Sequence, residues 1–303
     1  MTRPVEQIVL VTVLYNSSQS VRGLWRCLIA QTGSDWRLIV VDNGATDDAG
    51  AYLLGQNDPR VQLVVNLTNE GFARGVNRGL RLALADGAER IILLNPDVIF
   101  ESDFLERYVS RWKETKAEVI APRIMELANP TVAWYAGGSL DFGWTFAVRH
   151  DAYNPGGPQS RLVDFASGCC LGLTRHILQD IGLLDERFFV YWEDADYCMR
   201  LKTAGYNVQY VAEPILYHEG GASSGGERSY AAQQLYYCSY AMLLKKHFGL
   251  RRALRIFGRV LVKARWGNGG QADDGRHIAR AMLRGLLAKA SPAGYLVPGT
   301  ETH

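Results

Sequence analysis

The first third of the chain alternates short apolar segments with helix-forming ones, and this alternation limits the possible folds more than any other feature. Residues 8–14 are aliphatic or β-branched throughout, as expected for a strand buried on both faces. Comparable runs predict further strands at 36–41, 61–65 and 90–94. Helices are predicted between them, at 20–31 and 71–85. Strands that alternate with helices favour parallel βαβ units, and so predict an α/β fold with a mostly parallel sheet and flanking helices.

Polar side chains follow three of the predicted strands directly: Tyr15-Asn16, Asp42-Asn43 and Asn95-Pro96-Asp97. The carboxyl ends of parallel strands meet at one edge of a sheet, where α/β proteins bind their ligands. The three clusters are therefore expected to lie close together. Taken singly, each has a local explanation, with Tyr15 as an aromatic side chain on the edge and Asp42 and Asp97 as turn residues.

A second group of carboxylates, Glu193, Asp194 and Asp196, follows Trp192 about a hundred residues after the last of these clusters. Repulsion between the charges, together with partial burial beside aromatic rings, predicts a raised pKa for at least one of them. The alternative is the acidic first turn of a helix, where the helix dipole favours Asp and Glu. For Asp196 we prefer that alternative, with Arg200 as its ion-pair partner one turn later.

The later sequence predicts smaller elements around this sheet. From 119 to about 165, short strands and glycine-rich turns indicate a hairpin elaboration of the sheet rather than a second domain. Further elements are expected at 175–181 (helix), 194–204 (helix), 207–211 (strand) and 235–290 (helical, with a break around 267–271).

Composition sets broad limits on the class of protein. A chain of 303 residues can bury a substantial core, and 48% hydrophobic with 21% charged residues is ordinary for a globular protein. The cysteines show no metal-binding spacing, and their odd number argues against a complete set of disulfides; they are Cys27, Cys169, Cys170, Cys198 and Cys238. No signal peptide and no membrane-spanning run is recognisable, so a cytoplasmic protein is expected.

The C-terminal region is strongly basic. No acidic residue occurs between Arg228 and Asp273, whereas many cations do: Lys245, Lys246, Arg251, Arg252, Arg255, Arg259, Lys263 and Arg265. Apolar residues alternate with these cations over 242–266, a pattern typical of a helix that binds a membrane surface. An equally good alternative is a helix packed on the rest of the protein with a solvated basic face, and homodimerisation through it stays open. Nucleic-acid binding is not expected, because no recognised motif accompanies the charge.

Five motifs, in this order along the chain, resemble the family 2 glycosyltransferases, and more narrowly their bacterial rhamnosyltransferase branch. The motifs are Tyr15-Asn16, the segment 40–47, Asn69-Glu70-Gly71-Phe72-Ala73, Gly75-Val76-Asn77 and Leu94-Asn95-Pro96-Asp97. The block from Gly168 through Glu193-Asp194 to His218 is similar as well, so the resemblance covers roughly residues 5–225. It implies a nucleotide-diphosphate-sugar-binding fold of the GT-A type, with a catalytic domain at 1–228 and a basic helical region at 229–303.

The resemblance also implies a donor site built from the first motifs. The ring of Tyr15 would stack on the nucleobase, and Asp42 would accept hydrogen bonds from the nucleoside. Asn69 and Gly71 stand at the start of a helix, where free backbone amides favour an anion. Glycine recurs at every fourth position of this helix, and close packing on the sheet is the preferred interpretation of that spacing. The other donor-binding residues expected are Asn16, Arg74, Asn77 and Asn95.

Asp97 and His218 are the metal ligands that the resemblance implies, with Mg²⁺ or Mn²⁺ as the cofactor. A cation that bridges two phosphates prefers hard oxygen ligands and often takes only one or two carboxylates from the protein. Many nucleotide-sugar transferases have Asp-x-Asp where this chain has Asn95-Pro96-Asp97, so a single carboxylate remains. A lone histidine is more often structural, which is the alternative for His218.

The same resemblance assigns the chemical step to the second acidic group. Asp194 corresponds to the general base that removes the proton of the acceptor hydroxyl, and Glu193 would orient the sugar or hold Asp194. Gly168, Cys169 and Trp192 are expected to form the wall on the acceptor and sugar side. No cysteine is expected to act as a nucleophile, because inverting transfer needs no covalent intermediate.

The function expected from the sequence is sugar transfer, above all of L-rhamnose from dTDP-rhamnose, onto a glycan or polyprenyl-linked glycan acceptor for the cell surface. Two alternatives stay open at this point. A sugar nucleotidyltransferase would need a glycine-rich, basic triphosphate loop near the N-terminus, and Tyr15-Asn16-Ser17-Ser18 offers none. A non-catalytic sugar-binding protein would tolerate the loss of both Asp97 and Asp194.

Overall fold

Strands and helices alternate along the first hundred residues of the computed structural model, which describes residues 7–33, 35–220, 230–267 and 272–288. In chain order the first elements are β1 (Ile8–Leu14), α1 (Ser20–Ile29), β2 (Trp36–Asn43), α2 (Ala49–Leu54), β3 (Val61–Asn66), α3 (Phe72–Ala85) and β4 (Arg90–Leu94). The four strands and two helices predicted for this part are confirmed. The short helix α2 was not predicted.

The second half adds short strands, the remaining helices and one long strand. These elements are β5 (Val98–Phe100), α4 (Phe104–Thr115), β6 (Val119–Glu126), β7 (Ala133–Tyr135), β8 (Gly138–Asp141), β9 (Ala147–His150), β10 (Ser160–Val163), β11 (Cys170–Thr174), α5 (Arg175–Asp180), α6 (Glu193–Thr203), β12 (Val208–His218), α7 (Tyr230–Gly267) and α8 (Ala272–Leu287). The predicted hairpin elaboration is confirmed, with β8 and β9 paired as a separate ribbon. The strand predicted at 207–211 was too short, because β12 continues past an irregularity between Val211 and Ile215.

One mixed sheet carries the fold, with the strand order β10-β12-β6-β11-β4-β1-β2-β3. β1 to β4 are parallel, as predicted, and β11 is antiparallel to both β4 and β6. Leu14 pairs with Asp42, so the residues that follow β1 and β2 reach the same edge of the sheet. β12 ends at this edge too, where its His218 pairs with Val98 of β5. This pairing brings His218 beside Asp97.

Helix α3 packs closely on the sheet because it carries glycine where it crosses β1. A Cβ atom added at Gly75 would lie 2.8 Å from Cγ1 of Val13, and one added at Gly79 would collide with the same strand. These contacts confirm the packing interpretation for both positions. Gly71 is a different case, because its φ is +88° and a Cβ there would collide with the backbone of Phe189.

Helix α7 packs on α8 and on the α/β part of the chain. The helical prediction for 235–290 is confirmed over the described residues, although Gly249, at φ +74°, introduces a kink that was not predicted. The predicted break around 267–271 lies outside the described residues except for Gly267, the last residue of α7. Lys245 donates to the carbonyl of Leu286 in α8 (2.7 Å), and Ser239 donates to the carbonyl of Val190 (2.8 Å). The predicted domain boundary at 228/229 lies outside the described residues.

No helix in the described part of the chain combines the length and the apolar character that crossing a bilayer requires. All five cysteines are free thiols, four of them buried and Cys27 half-buried.

Candidate active site

The loops that follow β1 and β2 are tied together by side chains of the predicted donor site. Asn16, at φ +51°, accepts a hydrogen bond from the backbone amide of Thr46 (3.0 Å). Asp42 is half-buried and accepts from the backbone amide of Ala45 (2.9 Å), which is the turn geometry considered as its alternative. One carboxylate oxygen of Asp42 remains outside that bond. Tyr15 is also half-buried at this edge, so its ring is accessible to a ligand.

A buried asparagine organises the loop before α3, and the sequence analysis did not assign it a role. Asn43 donates to Oδ1 of Asn69 (3.0 Å) and to the carbonyl of Gly71 (3.1 Å), while its own oxygen accepts from Asn66 (2.8 Å). Buried amides keep a unique geometry when all their partners are present. The only sequence signal for this role was the position of Asn43 next to Asp42 at a strand end.

The backbone amides at the start of α3 are already engaged within the protein. The amide of Glu70 donates to Asn43 (3.2 Å), that of Gly71 to Asn69 (2.9 Å) and that of Phe72 to the carbonyl of Phe189 (2.6 Å). These three N–H groups therefore have protein acceptors, and anion binding at the start of α3 stays a prediction.

Two other residues of the predicted donor site contact the loop before α6. Asn77 is buried, donates to the carbonyl of Leu184 (2.8 Å) and accepts from the amide of Leu184 (3.0 Å). Arg74 lies 3.9 Å from the carboxylate of Glu186. These contacts give Asn77 a structural role that needs no ligand, and a donor-binding role for Arg74 stays a prediction.

The two predicted metal ligands meet at the edge of the sheet. Oδ2 of Asp97 lies 3.3 Å from Nε2 of His218, and the two side chains are only 8% and 9% exposed. The other carboxylate oxygen of Asp97 and Nδ1 of His218 are buried without a hydrogen-bond partner among the described residues. Buried polar atoms are rarely left unpaired, so a site with such atoms is a candidate for a ligand.

This donor set fits a divalent cation that the protein and a nucleotide hold jointly. Carboxylate oxygen suits Mg²⁺ and Mn²⁺, and imidazole is a common ligand of transition metals such as Mn²⁺. Within the described residues there is no group of three or more His, Cys, Asp and Glu side chains that could hold a metal. The remaining coordination positions would thus fall to diphosphate oxygens and water. The backbone N–H of Asn95 donates to the carbonyl of Cys169 (2.9 Å) and so fixes the position of the segment that precedes Asp97.

The second acidic group opens helix α6, and its two first members have raised pKa values. Burial, with the neighbouring charge of Asp194 added, raises the pKa of Glu193 to about 8. Burial also raises the pKa of Asp194, although it accepts from the backbone amides of Ala195 (2.7 Å) and Gly168 (3.3 Å). The predicted pKa rise is confirmed. Two backbone amides stabilise the charge of Asp194, whereas Oε2 of Glu193 is buried without a partner among the described residues, so we expect Asp194 to ionise first.

Asp196 has the structural role that the sequence predicts. It is fully buried and pairs with Arg200 (3.0 Å), Lys246 (2.5 Å) and His247 (2.7 Å). Burial alone would raise the pKa of Asp196, but the hydrogen bond from His247 and the charge of Lys246 outweigh burial and keep it below the usual value. Since Lys246 and His247 belong to α7, this cluster fixes the C-terminal helix to the helix that carries Asp194.

Gly168 and Cys169 connect the two acidic sites. The backbone amide of Gly168 donates to Asp194. A Cβ atom added at Gly168 would lie 3.6 Å from the ring of Phe72 and 3.9 Å from Cβ of Asp194. Cys169 follows, and burial together with the charge of Asp97 raises the pKa of its thiol well above the usual value. The thiol therefore stays protonated and unreactive. The structure brings Asp97, His218 and Asp194 to the two sides of one short segment.

Two residues that the sequence analysis missed line the same region. Trp134 of β7 places its ring 4.7 Å from that of His218 and 5.5 Å from that of His150 in β9, centroid to centroid. Nδ1 of His150 lies 2.7 Å from the carbonyl oxygen of Trp134. A positive charge on His150 lowers the pKa of Asp194 and so opposes the rise that burial causes. The sequence offered only the residue types of Trp134 and His150 as a signal, because it does not allow the pairing of such short strands to be predicted.

Solved structures with similar backbones define the fold class. The crystal structure of GalNAc-T7 with UDP, GalNAc and Mn²⁺ matches 92% of this chain and 55% of that chain, with a TM-score of 0.65 at 13% identity. Staphylococcus aureus TarS 1-349 in complex with UDP-GlcNAc matches 91% of this chain and 79% of that chain, with a TM-score of 0.60 at 14% identity. Such low identity shows the fold alone, which is the predicted GT-A fold.

The family follows from the sequence match. The model of Glycosyl transferase family 2 matches residues 9–182, which is more than half of the chain. The chain therefore belongs to glycosyltransferase family 2, as its motifs predicted.

Several relatives of known name are enzymes of glycan synthesis. N-acetylglucosaminyl-diphospho-decaprenol L-rhamnosyltransferase of Mycobacterium tuberculosis is 28% identical over 269 residues, which cover 80% of this chain and 86% of the relative. The O-antigen chain rhamnosyltransferase WbaN of Salmonella anatum is 24% identical, covering 69% of this chain and 65% of the relative. The low-salt glycan biosynthesis hexosyltransferase Agl10 of Haloferax volcanii is 22% identical, covering 67% and 64%. The chain thus spans about two thirds of the length of the last two relatives, and the predicted rhamnosyltransferase-like branch is confirmed.

Proposed function

We propose that this protein is an inverting glycosyltransferase that moves L-rhamnose from dTDP-L-rhamnose onto a polyprenyl-diphosphate-linked glycan precursor. The observation that carries the proposal is the meeting of Asp97, His218 and Asp194 around Gly168 and Cys169. A site for a diphosphate-bound cation and a site for a base then flank one reaction centre. The choice of donor and acceptor is supported by the names of the mycobacterial and O-antigen relatives.

In this proposal the donor lies across the carboxyl ends of β1, β2 and β4. Tyr15 stacks on the thymine, and the free oxygen of Asp42 accepts a hydrogen bond from the nucleoside. Asp97 and His218 would hold Mg²⁺ or Mn²⁺, and the charge that such a cation supplies would stabilise the diphosphate leaving group. Asn16 positions the loops on which Tyr15 and Asp42 lie.

The acceptor hydroxyl approaches from the side of Asp194. Its oxygen attacks the anomeric carbon of the donor on the face opposite the diphosphate, the bond to the diphosphate oxygen breaks, and the configuration inverts. Asp194 takes the hydroxyl proton as the new bond forms. Glu193, neutral near pH 7 because of its raised pKa, adds no competing negative charge.

The direct test is a transfer assay with purified full-length protein, Mn²⁺, and N-acetylglucosaminyl diphosphate carrying a short prenyl chain. We expect a rhamnosylated product from dTDP-L-rhamnose, and NMR of that product should show the anomeric configuration opposite to the donor's. UDP-GlcNAc and UDP-galactose serve as control donors. Retained configuration would contradict the inverting mechanism. Pyrophosphate release from a nucleoside triphosphate, with no transfer from any donor, would favour a nucleotidyltransferase instead.

Exposed basic and apolar side chains on the second half of α7 support the proposal that this helix contacts the inner face of the cell membrane. Lys245 and Lys246, which the sequence analysis counted among the membrane-facing cations, make contacts inside the protein. Beyond the kink at Gly249, large apolar side chains remain exposed, namely Leu250 (52%), Leu254 (46%) and Val262 (51%). Exposed cations alternate with them: Arg251, Arg252, Arg255 and Lys263. We propose that this face binds anionic lipid, because its charge and its apolar side chains complement such a surface.

Vesicle sedimentation tests the membrane contact. We expect the wild type to sediment with vesicles containing phosphatidylglycerol, and the double variant Arg251→Glu and Arg255→Glu to lose at least about tenfold in affinity, since each basic residue contributes about 1 kcal/mol. Lys113→Glu, on α4, is the matched control and should bind as the wild type does. A dimeric mass in solution that the double variant abolishes, with no vesicle binding, would show that a second copy covers this face.

A further inference from the structure

Tyr236 of helix α7 packs on aromatic residues that directly precede the acidic pair of Glu193 and the proposed base, Asp194. The ring of Tyr236 on α7 is 5.1 Å from that of Trp192 and 5.9 Å from that of Tyr191, centroid to centroid. Tyr236 nevertheless stays 40% exposed. Burial of its hydroxyl, the adjacent Tyr237 and the charge of Asp194 all raise the pKa of Tyr236. Its phenol is therefore protonated at neutral pH.

Trp192, the neighbour of Tyr236, is held in a costly conformation with an unused hydrogen-bond donor. Its φ of +70° is in the left-handed region, which is strained for a residue other than glycine. Its side chain is only 8% exposed, yet Nε1 has no acceptor among the described residues. Oε2 of the next residue, Glu193, also lacks a partner there. A buried polar atom without a partner destabilises the folded state, so two in successive residues at a proposed active site point to a polar ligand.

The position of Tyr236 is fixed by contacts that α7 makes one to three turns further along the helix. One turn on, the hydroxyl of Tyr240 donates to the carbonyl of Phe146 (2.6 Å), and the ring of Tyr240 lies 4.7 Å from that of Trp192. Two turns further, Lys246 and His247 bind the buried Asp196 of α6. Tyr236 therefore lies on a helix that is anchored to α6, the helix of Asp194, and a side chain held this rigidly can position a substrate accurately.

We propose that Tyr236 and Trp192 form the platform that binds the pyranose ring of the acceptor, so that the C-terminal helix completes the acceptor site. This inference rests on the proposed function and names the contact that its acceptor makes. The exposed ring of Tyr236 packs on the apolar face of the sugar, and Nε1 of Trp192 donates to a sugar oxygen. The hydroxyl to be glycosylated then lies next to Asp194. Sequence motifs do not reveal this contact, because Tyr236 follows the matched segment 9–182.

Substitution of Tyr236 tests the platform by kinetics and by direct binding. Tyr236→Ala should raise the acceptor KM at least about tenfold, as expected for a lost aromatic contact, with kcat changed less than threefold and donor affinity unchanged. Tyr236→Phe should keep most of the acceptor affinity, because it retains the ring. Tyr230→Ala is the control, since Tyr230 is an exposed tyrosine of the same helix whose ring contacts His277 of α8.

A binding arm separates this inference from the proposed function. Saturation-transfer NMR with octyl glycosides of glucose, galactose, mannose and N-acetylglucosamine should show at least one bound pyranose, and Tyr236→Ala should abolish the signal in a folded protein. That result supports the platform whether or not rhamnose transfer is detected. Unchanged pyranose binding and acceptor KM in Tyr236→Ala, or no pyranose bound by the wild type, would overturn it.

Discussion

Asp194→Asn is expected to abolish sugar transfer while leaving the donor bound. The carboxylate is the only proposed proton acceptor in the site, and an amide of the same shape cannot take a proton. Loss of a general base lowers kcat by about 10²–10⁴-fold. Donor affinity should be unchanged, because Asp97, Tyr15 and Asp42 lie at the other end of the site. Initial rates with saturating acceptor, together with calorimetric titration of dTDP in the presence of Mn²⁺, measure the two quantities separately.

The same substitution should not destabilise the protein. Burial already raises the pKa of Asp194, so folding disfavours its charge, and a neutral side chain removes that cost. The amide nitrogen of Asn cannot accept one of the two backbone hydrogen bonds that Asp194 accepts, which offsets this gain, so we expect a melting temperature close to that of the wild type. Asp180→Asn, an exposed carboxylate that bonds to Tyr206 (2.7 Å), is the matched control and should keep full activity. Wild-type turnover in Asp194→Asn would refute the assignment of the base.

The first half of the fold was legible in the sequence because its signals are local. A continuous apolar run and the polar residue that ends it specify a parallel strand and its ligand edge without knowledge of the partner strands. Asp42 and Asp97 were found at that edge for this reason. Their roles toward a ligand come from the resemblance, since a turn explains each of them equally well on local grounds.

The rest of the site depends on pairings between distant segments. His218 meets Asp97 only because β12 and β5 are antiparallel, and His150 reaches the same region through β9, a strand of four residues. Hydrophobic periodicity cannot specify such register. Likewise, a row of cations on α7 does not reveal that Lys246 is bound to the buried Asp196 while Arg251 faces solvent. That division follows from the docking of α7 on α6.

Asp97→Asn is expected to remove the dependence of donor binding on Mn²⁺. The substitution keeps the size of the side chain and its contact with His218 but takes away the single carboxylate of the proposed cation site. Without cation charge on the leaving diphosphate, kcat/KM should fall by about 10²–10³-fold, which corresponds to several kcal/mol. A second readout needs no turnover. Mn²⁺ should raise the melting temperature of the wild type in the presence of dTDP, through binding to the native state, and should not do so in Asp97→Asn.

The control and the alternative outcome distinguish a cation site from a structural pair. Asp103→Asn removes an exposed carboxylate near the start of α4 and should keep the full Mn²⁺ response. If Asp97 and His218 only stabilise the fold, Asp97→Asn would lower the melting temperature without nucleotide, because a neutral amide is a weaker hydrogen-bond acceptor for His218 than a carboxylate. The wild type and the variant would then respond equally to Mn²⁺. If Asp97 binds a cation, Mn²⁺ should instead raise the melting temperature of the wild type only when dTDP is present, and should not raise that of the variant. His218→Ala should likewise lose the Mn²⁺ response in the presence of dTDP, because the cation is proposed to bind both side chains.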